Sequence, residues 1–189
     1  HEVDADAAEA LLIDLVETPS PSGEEDAAAE RLLDFFEQHD REAFRDEVGN
    51  VRAPADDSVL LTSHVDTVPG EIPVRVEDDP DDEVLGEAAE ADSDPHVLWG
   101  RGSVDATGPL ASMAVAAVET GVSFVGVMRE ETDSAGAHFL VEDRDAPGAV
   151  INGEPSGWDA ITLGYRGLIA GTYVATSESG HTSRPEPNA

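Results

Sequence analysis

An apolar run that leads into a histidine and an aspartate constrains this chain more than any other stretch. Residues 58–63 are apolar, β-branched or small on both faces, and Pro69-Gly70 closes the stretch soon afterwards. This pattern is typical of a buried strand in a parallel sheet. His64 and Asp66 follow the strand, and alternation predicts that both side chains point the same way. A solvated turn would explain this pair taken alone, so its meaning depends on the rest of the chain.

The charge balance excludes several classes of partner. The 189 residues include 42 Asp and Glu against 10 basic residues, all of them Arg, for a formal net charge of −32. Nucleic acids and anionic membranes are therefore not expected as partners. High net charge is also typical of disorder. The 40% hydrophobic content, arranged in periodic segments, instead favours a folded protein. A folded protein with this much charge repulsion suggests adaptation to high salt, where charges are screened.

Cysteine usage and hydropathy limit the chemistry and the compartment. The chain contains no Cys, so any metal ion must be held by His, Asp or Glu. It has no run of 18 apolar residues and no signal-peptide pattern. These features predict a cytoplasmic protein.

Hydrophobic periodicity predicts an α/β fold with a mostly parallel, mixed sheet flanked by helices. A capping box, with Ser22 as N-cap and Glu25 three residues later, is expected to start the second helix. The predicted helices are residues 4–16, 22–39, 109–119 and 134–141, with another opening at 180. The predicted strands are residues 42–47, 50–53, 58–63, 72–76, 122–128, 148–151, 159–163 and 166–177. Residues 78–95 are expected to form an acidic surface loop around a short strand near Val84-Leu85.

Carboxylates recur at the ends of the predicted strands. Glu130 and Glu131 follow the strand at 122–128, and Glu154 follows the strand at 148–151. Asp105 precedes a helix, where N-capping is an equally good explanation for it alone. Because open α/β sheets bind ligands at the carboxyl ends of their strands, we expect these side chains to converge with the histidine at residue 64. Such a set suits a divalent ion, or the ion pair of a two-metal hydrolase with a free Glu as general base.

These segments also carry a family resemblance. Residues 63–70 (SHVDTVPG), 100–105 (GRGSVD), 130–131 (EE) and 153–155 (GEP) resemble the successive motifs of the M20 metallopeptidase/deacylase family. Residues 180–185 (GHTSRP) resemble its dimerisation-domain motif. The resemblance implies a zinc-peptidase-like catalytic domain over residues 1–163. It also implies the start of an inserted α+β dimerisation or lid domain over 164–189, so that the chain is expected to be an N-terminal fragment.

The resemblance implies two Zn²⁺ ions, with Co²⁺ or Mn²⁺ as alternatives. His64 and Glu154 would hold one ion and Glu131 the other, while Asp105 would bridge them. The family's last zinc ligand is a His near its C-terminus, and no residue of this chain matches it.

Three further roles follow from the same resemblance. Glu130 would be the general base, and Asp66 would support the metal-binding histidine. His181 would reach the active site of the partner subunit in a homodimer and help to hold the oxyanion. His1, His39, His96 and His138 are interpreted as structural or solvated.

Residues 153–158 (GEPSGW) and 164–167 (GYRG) most resemble the lysine/ornithine hydrolases of this family. Those enzymes release an amino acid from an amino-group carrier protein in lysine and arginine biosynthesis, and the Lys-free composition would fit a haloarchaeal member. Succinyl-diaminopimelate desuccinylases, acetylornithine deacetylases and dipeptidases share the metal motifs and stay open as alternatives. A non-catalytic metal-binding or interaction domain is the alternative from another class.

Overall fold

The computed structural model describes residues 2–77, 96–156, 161–163, 167 and 171–174. Compactness divides the chain into a unit of residues 1–155 and a unit of residues 156–189. The first unit holds every helix and strand found among the described residues. Neither this division nor the local structure tests the predicted boundary at 163/164, and the dimerisation domain stays a prediction.

In the described part of the chain, four helices form where the apolar periodicity predicts them, with ends shifted by a few residues. They are α1 (Ala5–Glu17), α2 (Asp26–Gln38), α3 (Thr107–Thr120) and α4 (Ala135–Asp143). Asp4 caps α1, because its carboxylate accepts a hydrogen bond from the Ala7 amide at 2.8 Å. Gly121 ends α3 in the left-handed conformation (φ 72°), where a glycine carries no Cβ penalty.

A five-stranded mixed sheet forms the centre of the first unit. Its strands are β1 (Phe44–Arg45), β2 (Val51–Ala53), β3 (Asp56–His64), β6 (Val122–Val127) and β7 (Val150–Asn152), in the order β1-β2-β6-β3-β7. The β6-β3 and β3-β7 pairings are parallel, while β1-β2 and β2-β6 are antiparallel. Strands β4 (Arg75–Glu77) and β5 (Val97–Trp99) form a separate antiparallel pair. The predicted α/β class with a mixed sheet is confirmed.

Helices cover both faces of this sheet. Apolar residues of α1, α2 and α3 pack with Val51, Leu61 and Phe124 in the larger buried cluster. Leu140 of α4 packs with the alternate residues of the central strands in a second cluster, which is Leu60, Val125, Val127 and Leu140. Because neighbouring residues of a strand point to opposite faces, the continuous apolar runs of β3 and β6 supply both clusters at once.

Several local predictions are wrong. The capping box does not form, because α2 begins at Asp26 with Glu25 as its N-cap, and Ser22 bonds elsewhere. The strand expected at 72–76 begins only at Arg75. In the stretches expected as strands at 159–163 and 166–177, the described residues 161–163, 167 and 171–174 have no strand assignment. The predicted strand near Val84-Leu85 and the helix opening at 180 lie outside the described residues.

Among the described helices, none combines the length and apolar character needed to cross a membrane.

Candidate metal centre

Three parallel strands deliver the predicted site residues to one edge of the sheet. His64 is the last residue of β3 and lies in register with Val127, the last residue of β6. On the other side of β3, Thr62 pairs with Asn152, the last residue of β7. The segments that contain Glu131 and Glu154 therefore begin next to one another, as expected at the carboxyl edge of a parallel sheet.

The structure brings His64, Asp105 and Glu131 together. One ligand atom from each side chain lies within 4.8 Å of the other two. The imidazole Nε2 is 3.1 Å from Asp105 Oδ1 and 3.9 Å from Glu154 Oε1. A nitrogen donor and hard carboxylate oxygens at this spacing fit a divalent cation such as zinc. Three of the four residues that the sequence singled out as ligands thus form one cluster, and Glu154 lies beside it.

Asp66 orients the imidazole from behind. The ring Nδ1 of His64 lies 2.7 Å from the backbone carbonyl of Asp66 and 3.5 Å from its carboxylate Oδ1. A carbonyl oxygen can only accept, so Nδ1 is the protonated nitrogen of the neutral ring. When the ring is neutral, Nε2 therefore has the free lone pair, and it faces the carboxylates. This is the arrangement by which proteins fix a metal-binding tautomer.

The two adjacent glutamates occupy a turn rather than a strand end. Strand β6 stops at Val127, and Arg129 adopts a left-handed conformation with φ 62°. The amide of Glu130 donates to Asp66 Oδ1 at 2.8 Å, and the amide of Glu131 donates to Oδ2 at 3.1 Å. Strand alternation therefore does not set the directions of these two side chains. Both backbone amides are instead held by one buried carboxylate, and only Glu131 belongs to the three-residue cluster.

Asp105 lies on a tightly packed loop before α3. It does not cap the helix, because Ala106 is the N-cap and no side-chain hydrogen bond is made there. Gly102 has φ +77°, and a Cβ on it would lie 2.6 Å from Thr67 Cγ2 and 2.7 Å from Thr107 Oγ1. Glycine is thus required for both backbone conformation and space. This close packing against Thr67 holds the Asp105 loop beside the end of β3.

The electrostatics of the cluster favour a bound cation. Burial lowers the pKa of His64, but hydrogen bonds with Asp66 and Asp105 outweigh it and raise that pKa to about 9. Burial raises the pKa of Glu131, and the nearby charge of Asp105 adds to the effect. Burial also raises the pKa of Glu154, opposed by His64 and reinforced by Glu130. Clustered carboxylates that disfavour their own charge gain most from a divalent ion, so the donor set fits a metal.

A cavity opens beside the cluster. Its volume is about 320 Å³, and Asp105 and Glu131 form part of its wall. Val68, Ile72 and Val104 supply apolar surface, and Arg101 supplies a positive charge. The Arg101 Nε donates to the carbonyl of Gly70 at 2.9 Å, which joins the two loops that border the cavity.

The other predicted residues fall into two groups. His181 lies outside the described residues, and its role stays a prediction. Of the histidines interpreted as structural or solvated, His39 contacts the Phe35 carbonyl at 2.8 Å and His96 contacts Glu9 at 3.3 Å, His138 is exposed on α4, and His1 lies outside the described residues. Sequence reasoning missed Ser22, whose hydroxyl bonds to Asp66. Its Ser-x-x-Glu spacing indicated a helix cap, and no local signal pointed to a partner 44 residues away.

Known proteins resemble this chain along most of its length. A Thermococcus kodakarensis protein that bears a LysW-lysine/LysW-ornithine hydrolase name is 42% identical over 174 residues, covering 89% of this chain and 45% of that protein. The LysW-lysine hydrolase of Deinococcus radiodurans is 38% identical, covering 95% of this chain and 48% of that enzyme. The LysW-lysine/LysW-ornithine hydrolase of Sulfurisphaera tokodaii is 33% identical, covering 94% of this chain and 48% of that enzyme. The chain spans about half the length of the curated relatives it matches.

Solved structures share the fold. Aminopeptidase PepT from Bacillus cereus superposes with a TM-score of 0.58 at 20% identity, covering 79% of this chain and 43% of that one. An aminoacylhistidine dipeptidase from Vibrio alginolyticus superposes with a TM-score of 0.50 at 18% identity, covering 78% and 33%. The sequence model of peptidase family M20/M25/M40 matches residues 60–184, which is more than half of the chain. The chain therefore belongs to peptidase family M20/M25/M40.

Proposed function

We propose that the complete protein is a two-metal amide hydrolase that releases lysine or ornithine from an amino-group carrier protein. The observation that supports this most is the meeting of His64, Asp105 and Glu131 at the carboxyl edge of the sheet. Relatives that are 33–42% identical carry LysW-lysine or LysW-ornithine hydrolase names. A cytoplasmic homodimer acting in lysine and arginine biosynthesis is part of the same proposal.

The proposed metal ligands are those that the sequence singled out. His64 and Glu154 would hold one ion, Glu131 the other, and Asp105 would bridge the two. This assignment is supported by the imidazole Nε2, which faces both Asp105 at 3.1 Å and Glu154 at 3.9 Å. Zn²⁺ suits the donor set, and Co²⁺ or Mn²⁺ are the alternatives.

The chain's own residues then divide the chemistry between them. Divalent ions in such a site polarise the substrate carbonyl and make water more acidic. Glu130 is exposed beside the cluster but is not a member of it, so its carboxylate is available to take a proton from the attacking water. The same group can return that proton to the amine that leaves. Asp66 keeps the imidazole and both glutamate amides in place while this occurs.

The cavity beside the cluster suits the group next to the scissile amide. Its apolar wall can pack against an aliphatic chain, while Arg101 faces the same space with a positive charge. His181 from the partner subunit would complete the site in the proposed homodimer and help to hold the oxyanion.

Substitution of the two glutamates tests the proposal in the product of the complete gene. Glu130→Gln should keep its metal content and lower kcat roughly 10²–10⁴-fold, the usual worth of a general base. Glu131→Gln should weaken metal binding more than about tenfold, because it removes a ligand. Glu142→Gln, an exposed substitution on α4 with the same charge change, is the matched control. Metal stoichiometry and kcat are measured for all three variants.

If Glu130→Gln instead weakens metal binding while Glu131→Gln keeps the metal, the roles of base and ligand are reversed between the two residues. If neither variant changes kcat, the hydrolase proposal fails.

Exhaustive chelation should also abolish turnover, and readdition of Zn²⁺ or Co²⁺ should restore it. Carrier-linked lysine, succinyl-diaminopimelate, acetylornithine and a dipeptide are compared as substrates. A kcat/KM that is highest for one of the last three would replace the proposed substrate while keeping the mechanism.

A further inference from the structure

Ser22 contacts the buried carboxylate that organises the proposed site. Its hydroxyl lies 2.5 Å from Asp66 Oδ2, although the two residues are 44 positions apart in sequence. Asp66 is fully buried, whereas Ser22 is half-buried. A hydroxyl that donates to a carboxylate at this distance makes a charge-assisted hydrogen bond, which is stronger than a neutral one.

The segment that carries Ser22 is held in place without this hydroxyl. The amide of Thr67 donates to the Ser20 carbonyl at 2.9 Å, and the Ser20 hydroxyl donates to the Val65 carbonyl at 2.9 Å. Pro21 pairs with Thr67 as an isolated parallel bridge. These backbone-directed contacts therefore fix residues 20–21 along residues 65–67. The Ser22 hydroxyl adds a hydrogen bond to the side chain of Asp66.

The hydrogen bonds of the carboxylate are divided between its two oxygens. Oδ1 accepts from the Glu130 amide at 2.8 Å and lies 3.5 Å from His64 Nδ1. Oδ2 accepts from Ser22 at 2.5 Å and from the Glu131 amide at 3.1 Å. Without Ser22, Oδ2 would keep only the longer of its two bonds. The carboxylate could then rotate away from the position that holds the imidazole and both glutamate amides.

We propose that Ser22 is a positioning residue for the metal centre, acting through Asp66 on His64 and on the turn that carries Glu131. The role that we assign to the centre rests on the proposed function, but the effect on metal binding does not require turnover. Outer partners of metal-binding histidines and carboxylates affect metal affinity about 10–100-fold. We expect the loss of the Ser22 hydroxyl to weaken metal affinity by a factor within that range.

The experiment compares two serines of the same segment in the product of the complete gene. Co²⁺ affinity is measured by titration without substrate, together with the visible absorption of the bound Co²⁺. Ser22→Ala should weaken Co²⁺ binding at least about tenfold and alter the absorption spectrum. Ser20→Ala removes a hydroxyl whose partner among the described residues is the Val65 carbonyl, so it should lower the melting temperature while Co²⁺ affinity stays within about twofold. Ser22→Thr keeps the hydroxyl and should restore most of the affinity.

Kinetics supply a second readout. In the metal-loaded enzyme, Ser22→Ala should lower kcat more than it raises KM, because the residue does not line the substrate cavity. If Ser22→Ala does not fold, Ser22→Cys offers a similar volume with a weak thiol donor, and a loss of Co²⁺ affinity of at least about threefold is then expected. Equal Co²⁺ affinities for the Ser22 and Ser20 variants would overturn the inference, as would a Thr variant no better than Ala. If the unaltered enzyme cleaves no amide, only the proposed function fails, because the Co²⁺ titration still decides the role of Ser22.

Discussion

His64 and Asp66 show how a buried site can hold charge before any cation is bound. The imidazole is 2% exposed, and its two nitrogens face Asp66 on one side and Asp105 with Glu154 on the other. Burial raises the pKa of Asp66, but hydrogen bonds from His64, Ser22 and two backbone amides outweigh it and lower that pKa. A proton on the imidazole thus partly replaces the positive charge that a metal would supply.

Metal binding should therefore compete with protons. The pKa of His64 is raised to about 9, and only the neutral imidazole can bind a metal. Below that pH, binding must release the proton, so apparent Co²⁺ affinity should rise about tenfold per pH unit and level off above pH 9. The raised pKa values of Glu131 and Glu154 act in the same direction at acidic pH. Calorimetric titrations at pH 6, 7 and 8, in two buffers that differ in ionisation enthalpy, measure the protons released.

A variant at an exposed histidine supplies the control for that titration. His138→Asn changes a residue of α4 that is not in the cluster, and it should keep the same pH slope. An affinity that does not depend on pH between 6 and 8 would show that His64 is neutral in the metal-free protein.

At the scale of elements, one buried side-chain amide joins segments on both sides of the turn that carries Glu130 and Glu131. Asn50 is fully buried. Its Nδ2 donates to Asp46 Oδ2 at 3.0 Å and to the Gly136 carbonyl at 3.1 Å, and its Oδ1 accepts from the Met128 amide at 3.0 Å. It thus ties the turn before β2 to the end of β6 and to the first turn of α4. A Cβ on Gly136 would lie 2.2 Å from Asn50 Oδ1, so glycine is required for this contact.

Loss of this amide should destabilise the fold. Asn50→Ala leaves the Met128 amide and the Gly136 carbonyl without their side-chain partner. We expect the free energy of unfolding to fall by roughly 3 kcal/mol, because unsatisfied buried groups cost about 1–3 kcal/mol each. Ser112→Ala removes an exposed hydroxyl that bonds within α3, and it should change stability by less than about 0.5 kcal/mol. Urea unfolding followed by circular dichroism compares the two variants. Equal effects would mean that Asn50 does not connect these elements energetically.

At the scale of the whole molecule, negative charge dominates. With 42 acidic residues against 10 Arg, most carboxylates cannot have a cationic partner. Some pairs do join elements. Arg52 of β2 pairs with Asp143 at 2.5 Å and Arg144 pairs with Asp57 of β3 at 2.7 Å, so both pairs connect the C-terminal end of α4 to the sheet. The unpaired remainder repels itself, and this repulsion opposes the compact state.

Salt should therefore stabilise the protein. Between about 0.1 and 1 M KCl the screening length falls from roughly 10 to 3 Å, so repulsion between surface carboxylates weakens. We expect the melting temperature to rise over this range and more slowly towards 3 M. Sucrose at equal osmolality, which does not screen charge, should produce a smaller rise. A melting temperature independent of KCl would contradict this account.

Much of the site could be predicted from the sequence because its ligands follow strands. The buried run at 58–63 predicts a strand from local pattern alone, and the parallel arrangement then places His64 near whatever follows the neighbouring strands. This argument predicts that Glu131 and Glu154 lie near the histidine without using any distance from the structure. Asp105 was open to an alternative interpretation as a helix cap, and only the structure excluded it.

Local sequence pattern and composition are enough to predict the α/β class, the strands that end in candidate ligands and the negative surface. These features depend on periodicity and composition within short windows. Tertiary structure decided how the ligands are held. In the folded chain, β6 lies between β2 and β3. Ser22, which the sequence predicts to cap a helix, instead bonds to Asp66. Tertiary structure also formed the turn whose two amides share that carboxylate. These contacts join residues 44 to 65 positions apart, and no local pattern encodes a partner at that separation.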